Sequence, residues 1–277
     1  MSKKLALVLY KYFPYGGLQK DFMEIAKELL ARGNSLKVYT RSWEGEFPDD
    51  LEIIQLGETG ISNYSKNKKF IKKAFKALED FEPDIIFGFN KMPGLDLYFA
   101  ADTCFAFKSQ TKPFLQRYTR RFRQSLKYEE EVFSRNVSTK TLLLNNKQLN
   151  EFSKFYSTPS NRMTLVPPGI DRDWKTYKPI NIRERLSIPP EDKVLLFVGS
   201  DFSRKGLDRA ILALSYLLKQ KKSATLVVIG DDNQSTYKKL LQQESLDKKV
   251  SFIGPSQEVA SFMKSADLLI HPAREEA

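Results

Sequence analysis

Cysteine and histidine are almost missing from this sequence. One cysteine, Cys104, excludes an internal disulfide and suits a reducing compartment. One histidine, His271, excludes a metal centre built from several histidines; following an apolar strand and preceding Pro272, it reads as structural. Long apolar runs are also absent. No window approaches the roughly 20 apolar residues that a spanning helix needs, and residues 5–10 are too short a run, too near the start, for a signal peptide. These absences point to a cytosolic protein. Acidic side chains are outnumbered, 34 Asp and Glu against 45 Lys and Arg, and the net charge of +11 implies a polyanionic partner: nucleic acid, anionic lipid or a phosphorylated substrate. At 277 residues the chain exceeds one ordinary core and suits two domains.

Strand and helix patterns alternate along almost the whole chain. Residues 5–10 form a continuous apolar run, the mark of a strand buried on both faces. The chain then passes Gly16 and Gly17 into a helix with Leu18, Phe22, Ile25, Ala26, Leu29 and Leu30 on one face, stopped by Gly33, before a second strand at 36–40. In a strand, glycine loop, helix, strand unit the glycines lie where an open parallel sheet binds ligands. Gly16-Gly17 lacks the full GxGxxG spacing, so a simple tight turn is the alternative. A turn-rich stretch follows, then a helix over 70–81 ended by Pro83, a strand at 84–89, the loop Asn90-Lys91-Met92-Pro93-Gly94 and a strand at 97–101. Asp102 stands at the carboxyl end of that strand, where it can orient an acceptor hydroxyl or stabilise positive charge in a reacting group; a helix cap or a loop ion pair is the alternative. After a strand at 141–144, a helix at 147–156 and a strand at 163–166, Pro167-Pro168-Gly169 enforces an extended path and marks a boundary between 1–167 and 168–277.

The second half repeats the alternation. Its apolar run at 194–198 opens into a polar turn with Arg204 and Lys205, closes on Gly206, and leads into a helix at 207–218. A glycine at the end of a parallel strand lets backbone approach a ligand, and the next helix presents free N–H groups and a positive dipole end. A planar guanidinium beside a mobile ammonium suits a diphosphate; two solvated surface charges are the alternative. Strands at 224–229, 250–253 and 268–271 alternate with helices at 237–244 and 259–264. Asp171-Arg172-Asp173 resembles a metal-binding Asp-x-Asp, but it lies in the linker rather than at a strand end and reads as a charged hinge.

Between Thr103 and Tyr128 there is no acidic residue. Lys108, Lys112, Arg117, Arg120, Arg121, Arg123 and Lys127 are interleaved there with Phe105, Phe107, Phe114, Tyr118 and Phe122. Helical spacing puts Leu115, Tyr118, Phe122, Leu126 and Phe133 on one face and Arg117, Arg120, Arg123 and Lys127 on the other. This predicts a basic amphipathic helix. It is either an ordinary surface helix or a binder of anionic membrane, the latter favoured because one-signed charge with aromatic residues exceeds what solubility requires. No recognised nucleic-acid motif accompanies it.

Five stretches carry a resemblance to a known family: residues 10–19, Tyr-Lys-Tyr-Phe-Pro-Tyr-Gly-Gly-Leu-Gln; residues 88–96, Gly-Phe-Asn-Lys-Met-Pro-Gly-Leu-Asp; Pro167-Pro168-Gly169-Ile170; residues 198–206, Val-Gly-Ser-Asp-Phe-Ser-Arg-Lys-Gly; and His271-Pro272-Ala273. Together they resemble the GT4-like retaining glycosyltransferases of the GT-B fold, and within that group the lipopolysaccharide core glucosyltransferases. The resemblance extends over essentially the whole chain. It implies an α/β protein of two Rossmann-like parallel-sheet domains facing across a cleft: an acceptor- and membrane-binding domain at 1–167 and a nucleotide-sugar-binding domain at 168–277. The group carries two glutamates separated by seven residues after the His-Pro strand; Glu276 matches the first, and the sequence ends at Ala277 before the second, so an incomplete second domain is expected.

By the same resemblance Arg204 and Lys205 hold the diphosphate of UDP-glucose, Gly16 and Gly17 close against it, and Phe252, Ile253 and Gly254 meet the uracil largely through backbone. Asp102 lies near the acceptor hydroxyl or the anomeric carbon, and Glu276 faces the sugar or the phosphate. The basic segment, with Lys108, Lys112, Phe114, Arg117, Tyr118, Arg120, Arg121, Phe122, Arg123 and Lys127, sits on the anionic inner face of the cytoplasmic membrane. The implied reaction moves glucose to an inner-core heptose of lipopolysaccharide with retention and with no metal or other cofactor. Two alternatives stand beside it: a module that only binds membrane or polyanion, with the sheets as scaffold, and a related transferase using another sugar nucleotide.

Overall fold

In the computed structural model residues 2–110, 113–169 and 172–274 are described. The chain divides into two compact units, 1–168 and 169–276. In chain order the first contains β1 (Lys4–Tyr12), α1 (Gly17–Ala31), β2 (Ser35–Trp43), β3 (Glu52–Gln55), α2 (Asn63–Phe81), β4 (Ile85–Gly88), β5 (Leu97–Ala100), α3 (Phe105–Ser109), α4 (Arg120–Phe133), β6 (Lys140–Leu143), α5 (Asn146–Tyr156) and β7 (Met163–Leu165). Its seven strands lie parallel in the order β3-β2-β1-β4-β5-β6-β7.

The unbroken apolar run of β1 is explained by helices on both sides of the sheet. Ala6 and Val8 enter one core with Phe70, Tyr98, Phe133 and Phe152, while Leu5, Leu7 and Leu9 enter another with Phe22, Phe87 and Phe99. Phe133 of α4 and Phe152 of α5 stack with ring centroids 3.5 Å apart, which fixes these two helices together.

The second unit contains α6 (Ile182–Arg185), β8 (Lys193–Val198), α7 (Phe202–Lys205), α8 (Leu207–Lys219), β9 (Ala224–Ile229), α9 (Ser235–Gln243), β10 (Val250–Gly254), α10 (Val259–Ser265) and β11 (Leu268–Leu269). Its four parallel strands run β10-β9-β8-β11. Leu195 and Phe197 of β8 face one core, Val194 and Leu196 the other.

Several elements differ from the sequence-based expectation. The turn-rich stretch after Gly45 contains β3, a short edge strand whose two isoleucines, Ile53 and Ile54, are only half-buried. Helix α2 begins at Asn63 rather than 70, because Ser62 and Ser65 cap its first turn reciprocally. The polar turn before Gly206 contains the one-turn helix α7, and the last strand is confined to two residues.

The largest correction concerns 105–133, which is not one amphipathic helix. It is built from α3, a 3-10 turn at Phe114–Tyr118, and α4. Pro113 cannot donate to a helix ladder, and Thr119, extended, starts α4 afresh by accepting from the Phe122 N–H at 3.2 Å. The expected apolar face is divided accordingly. Phe133 is buried and Leu126 half-buried, whereas Tyr118 is 56% exposed.

Candidate active site

In the second unit all four strands release their loops at one edge, and glycines let those loops converge. Gly199 follows β8 and Gly230 follows β9, both at positive φ; a Cβ at Gly230 would stand 2.1 Å from the Gly199 carbonyl oxygen. Asp201 then caps α7, accepting from the Arg204 N–H at 3.3 Å and from Arg204 Nε at 3.1 Å. Phe202 anchors the turn: it is fully buried, edge-on to Phe197 and Tyr237, and its N–H donates to Asp232 Oδ2 at 2.7 Å. Gly206 ends α7 at φ +78, and a Cβ there would meet the Pro272 carbonyl oxygen at 2.3 Å. The Lys205 side-chain stem lies across Gly199, with Cγ 3.2 Å from where a Cβ would be. Arg204 and Lys205 are therefore half-buried on a turn whose backbone is tied down on every side, at the sheet edge where anions bind.

A residue outside the sequence-based candidates completes this turn. Arg274 donates its backbone N–H to the Arg204 carbonyl at 2.8 Å, and its guanidinium reaches the Ser203 carbonyl at 2.7 Å and both carboxylate oxygens of Asp208. The hydrogen bonds from Arg274 hold the Asp208 carboxyl below its ordinary range. The loop after β11 is thereby fixed to the basic turn.

At the end of β10 the register with β9 slips between Phe252 and Gly254, and Gly254, at φ +80, accepts from the Gly230 N–H at 3.0 Å. The Phe252 ring packs on Phe202, centroids 6.2 Å apart. Phe252, Ile253 and Gly254 are half-buried and sit at the same edge as Arg204 and Lys205.

In the first unit Gly16 is the extended residue before α1, and no side chain caps that helix. Gln19 folds over it to reach the Lys11 carbonyl at 3.1 Å, so a Cβ at Gly16 would stand 1.8 Å from Gln19 Oε1; Gly17 has open space around it. Asp102 is exposed two residues past β5. Its backbone is held by Gln148, whose Nε2 donates to the carbonyls of Ala100 at 2.8 Å and Asp102 at 3.1 Å, while Oε1 accepts from the Leu144 N–H at 2.7 Å. Gln148, almost fully buried, thus staples the ends of β5 and β6 and fixes where Asp102 emerges.

Two further networks lie at this edge. Glu129 of α4, with no exposed surface, accepts from Lys91 Nζ, from the N–H groups of Phe105 at 2.7 Å and Ala106 at 2.8 Å, and from the Tyr156 hydroxyl at 2.8 Å. Burial, with Glu129 adding to it, pushes the nearby Cys104 thiol up to about 12. Glu58 is surrounded by Lys66 at 2.7 Å, Lys11 at 2.9 Å and Arg41 at 3.0 Å, and hydrogen bonds from Lys66 and Lys11 hold its carboxyl down at about 2. Beside this cluster lies a cleft of about 520 Å³ at the carboxyl ends of β1 and β2.

The basic segment presents an exposed strip. Phe107, Phe114 and Tyr118 are 42%, 67% and 56% exposed, and Arg117, Arg120, Arg121, Arg123 and Lys127 are exposed beside them. Phe122 and Lys108 are half-buried, Phe122 edge-on to Phe105 at 5.2 Å. Lys112, Asp171 and Glu276 lie outside the described residues. Among the described residues no helix is long and apolar enough to cross a membrane.

Residues 15–174 match Glycosyltransferase Family 4, and residues 180–277 match Glycosyl transferases group 1. The lipopolysaccharide glucosyltransferase WaaG of Escherichia coli strain K12 is 41% identical over 280 residues, covering 99% of this chain and 75% of that protein. The crystal structure of WaaG superposes with a TM-score of 0.92, over 98% of this chain and 75% of that one. Anabaena HepE, solved with UDP and glucose, shares the fold at a TM-score of 0.69 and 16% identity, over 98% and 74% of the two chains. Two Rossmann-like parallel-sheet units with these matches define a GT-B glycosyltransferase. The chain belongs to glycosyltransferase family 4.

Proposed function

We propose that this glycosyltransferase moves glucose from UDP-glucose to a heptose of the lipopolysaccharide inner core, with retention of configuration, at the anionic cytoplasmic face of a membrane. The observation that carries this reading is the tied-down turn bearing Arg204 and Lys205 at the end of β8, in a chain 41% identical to a lipopolysaccharide glucosyltransferase over 99% of its length. Transfer breaks the bond between the anomeric carbon and a β-phosphate oxygen, and both bonding electrons leave with UDP. A guanidinium and an ammonium already positioned at the diphosphate offset that charge as it develops, without a metal or other cofactor. The backbone at Phe252, Ile253 and Gly254 takes the uracil. Gly16 and Gly17 stand at the uncapped start of α1, where free backbone N–H groups suit a phosphate of the donor. Asp102 orients the acceptor hydroxyl, whose oxygen forms the new bond to the anomeric carbon while its proton passes to the departing β-phosphate oxygen, and Glu276 faces the sugar or the phosphate. The exposed Phe107, Phe114, Arg117, Tyr118, Arg120, Arg123 and Lys127 hold the enzyme at its lipid-linked acceptor.

Calorimetric titration of UDP into the chain and into Arg204→Ala tests the donor site. Charge-assisted hydrogen bonds to phosphate contribute about 1.5–3 kcal/mol, so UDP should bind the parent chain and bind the variant at least about tenfold more weakly. Equal affinity in both would remove Arg204 from the site, and folded protein that binds no UDP would leave membrane association as the activity.

A further inference from the structure

The cleft beside Glu58 has a lining that the donor chemistry does not use. Lys11, Arg41 and Arg121 contribute to it together with amide and phenol side chains, and among the described residues no carboxylate lines it. Arg41 is the unusual member. At 4% exposure it is among the most buried charged residues, with Nη1 donating to Asn67 Oδ1. Its Nε lies 3.0 Å from Glu58 Oε1 but makes no hydrogen bond and is a buried donor left unsatisfied. Because Glu58 already serves Lys11 and Lys66, three cations stand around one carboxylate, and the cleft keeps a positive excess. A buried guanidinium whose one carboxylate is shared with two lysines is only partly neutralised, which favours a second anion in the cleft.

The neutral groups narrow the ligand further. Asn90 Oδ1 accepts from the Tyr10 N–H at 2.7 Å and Asn67 Oδ1 accepts from Arg41, so these amides turn their nitrogens to other partners. Gln124 Nε2 is used by Tyr128 and the Tyr64 carbonyl, at 2.8 and 3.3 Å, which leaves its oxygen as an acceptor. Fixed amide donors and acceptors beside tyrosine rings match the hydroxyls and ring face of a sugar, whereas a bare ion or a lipid chain would use neither. The volume of about 520 Å³ is of the size that holds a small ligand.

We infer that this cleft binds an acidic sugar unit, one carrying a carboxylate or a phosphate, with Arg41 and Arg121 taking the anion and the Asn67, Asn90 and Gln124 amides taking hydroxyls. It rests on the proposed acceptor reading, in which that unit belongs to the acceptor glycan. It also divides the basic segment: Arg121 of α4 faces the acceptor cleft and is not one more membrane charge.

The test is nuclear magnetic resonance of the full chain, following the Arg41 Nε–H and the Asn67 side-chain amide during titration with glucuronic acid, glucose 6-phosphate, glucose and inorganic phosphate. One or both acidic sugars should shift these signals at concentrations where glucose and phosphate do not, and the two acids distinguish carboxylate from phosphate. Arg121 is exposed, so Arg121→Gln should fold normally and raise the Kd for the acidic sugar about tenfold. Arg41→Lys, which keeps charge and loses the fork, should do the same. No shift with either acid, binding of bare phosphate as tight as glucose 6-phosphate, or an unchanged Kd in Arg121→Gln would overturn the assignment. UDP binding is read separately in the second unit. A chain that takes UDP but neither acid loses this cleft alone, and one that takes the acid but no UDP loses the donor reading instead.

Discussion

The ammonium of Lys91, in the loop after β4, is paired with the carboxylate of Glu129, which has no exposed surface. The same carboxylate closes the first turn of α3 and takes the Tyr156 hydroxyl of α5, so one buried charge joins a sheet-edge loop to three helices. Removing either partner strands the other in a low-dielectric interior. Glu129→Ala and Lys91→Met should each destabilise the first unit by about 3–5 kcal/mol, and the double variant should cost less than the sum. Urea unfolding read by probes in each unit checks this: the transition of the first unit should shift and that of the second should not.

Glu58 makes the acid stability of the first unit predictable in sign. Its folded-state pKa of about 2 lies below the ordinary value of 4.5, chiefly through hydrogen bonds from Lys66 and then Lys11. A depressed carboxyl contributes stability that is fully present above the unfolded value and is lost as pH falls through the folded one. The urea midpoint should therefore drop between about pH 4.5 and 2, and Glu58→Gln should flatten that part of the profile. An identical slope in parent and variant would show that the three cations do not act on this carboxylate.

Gly206 and Gly17 should respond in opposite ways to alanine. At Gly206 the backbone is left-handed and the new methyl would meet the Pro272 carbonyl at 2.3 Å, a backbone atom that Arg209 also contacts. Gly206→Ala should cost the second unit about 1–3 kcal/mol and weaken UDP binding, because α7 and its two cations must shift. Gly17 has nothing within 4 Å, so Gly17→Ala should leave the melting temperature unchanged or slightly raised. Comparable melting of both variants would refute the close approach at Pro272.

Much of this architecture was legible in the residues. The run at 5–10 reads as a strand buried on both faces, and β1 does divide its side chains between two cores. The basic turn at Arg204 reads as the end of a parallel strand, and it is. What escaped was decided by tertiary packing. Glu129 stands in a run with Glu130 and Glu131, and nothing local distinguishes the one that the α3 N-terminus, Lys91 and Tyr156 draw inside. Gln148 and Arg41 are equally silent, since their partners, the end of β5 for Gln148 and Asn67 of α2 for Arg41, are far away in sequence. Strand β3 was obscured by its four-residue length and half-buried edge position. The break in the basic segment did have a signal, Pro113, which helical periodicity alone overrode.

That break changes what membrane binding should look like. A single helix would lie flat with a continuous apolar face, but Phe114 and Tyr118 instead pair edge-on, 5.0 Å between centroids, on the exposed 3-10 turn. Arg123 stands over the Tyr118 ring at 5.9 Å, and Arg117 donates to the Gln110 carbonyl at 3.0 Å, so charge and aromatic surface are held at one place. A compact patch of this kind contributes about 1 kcal/mol per basic residue at an anionic surface, screened within a Debye length of about 10 Å at 0.1 M salt. Vesicles containing phosphatidylglycerol should bind the chain at low salt and release it as salt rises. Replacing Arg117, Arg120, Arg123 and Lys127 with glutamine should abolish most of that binding while UDP affinity is retained. Phe114→Ala with Tyr118→Ala should weaken binding at all salt concentrations, because buried apolar area is not screened. Equal binding to neutral phosphatidylcholine vesicles, or none to anionic ones, would return these residues to the role of an ordinary solvated surface.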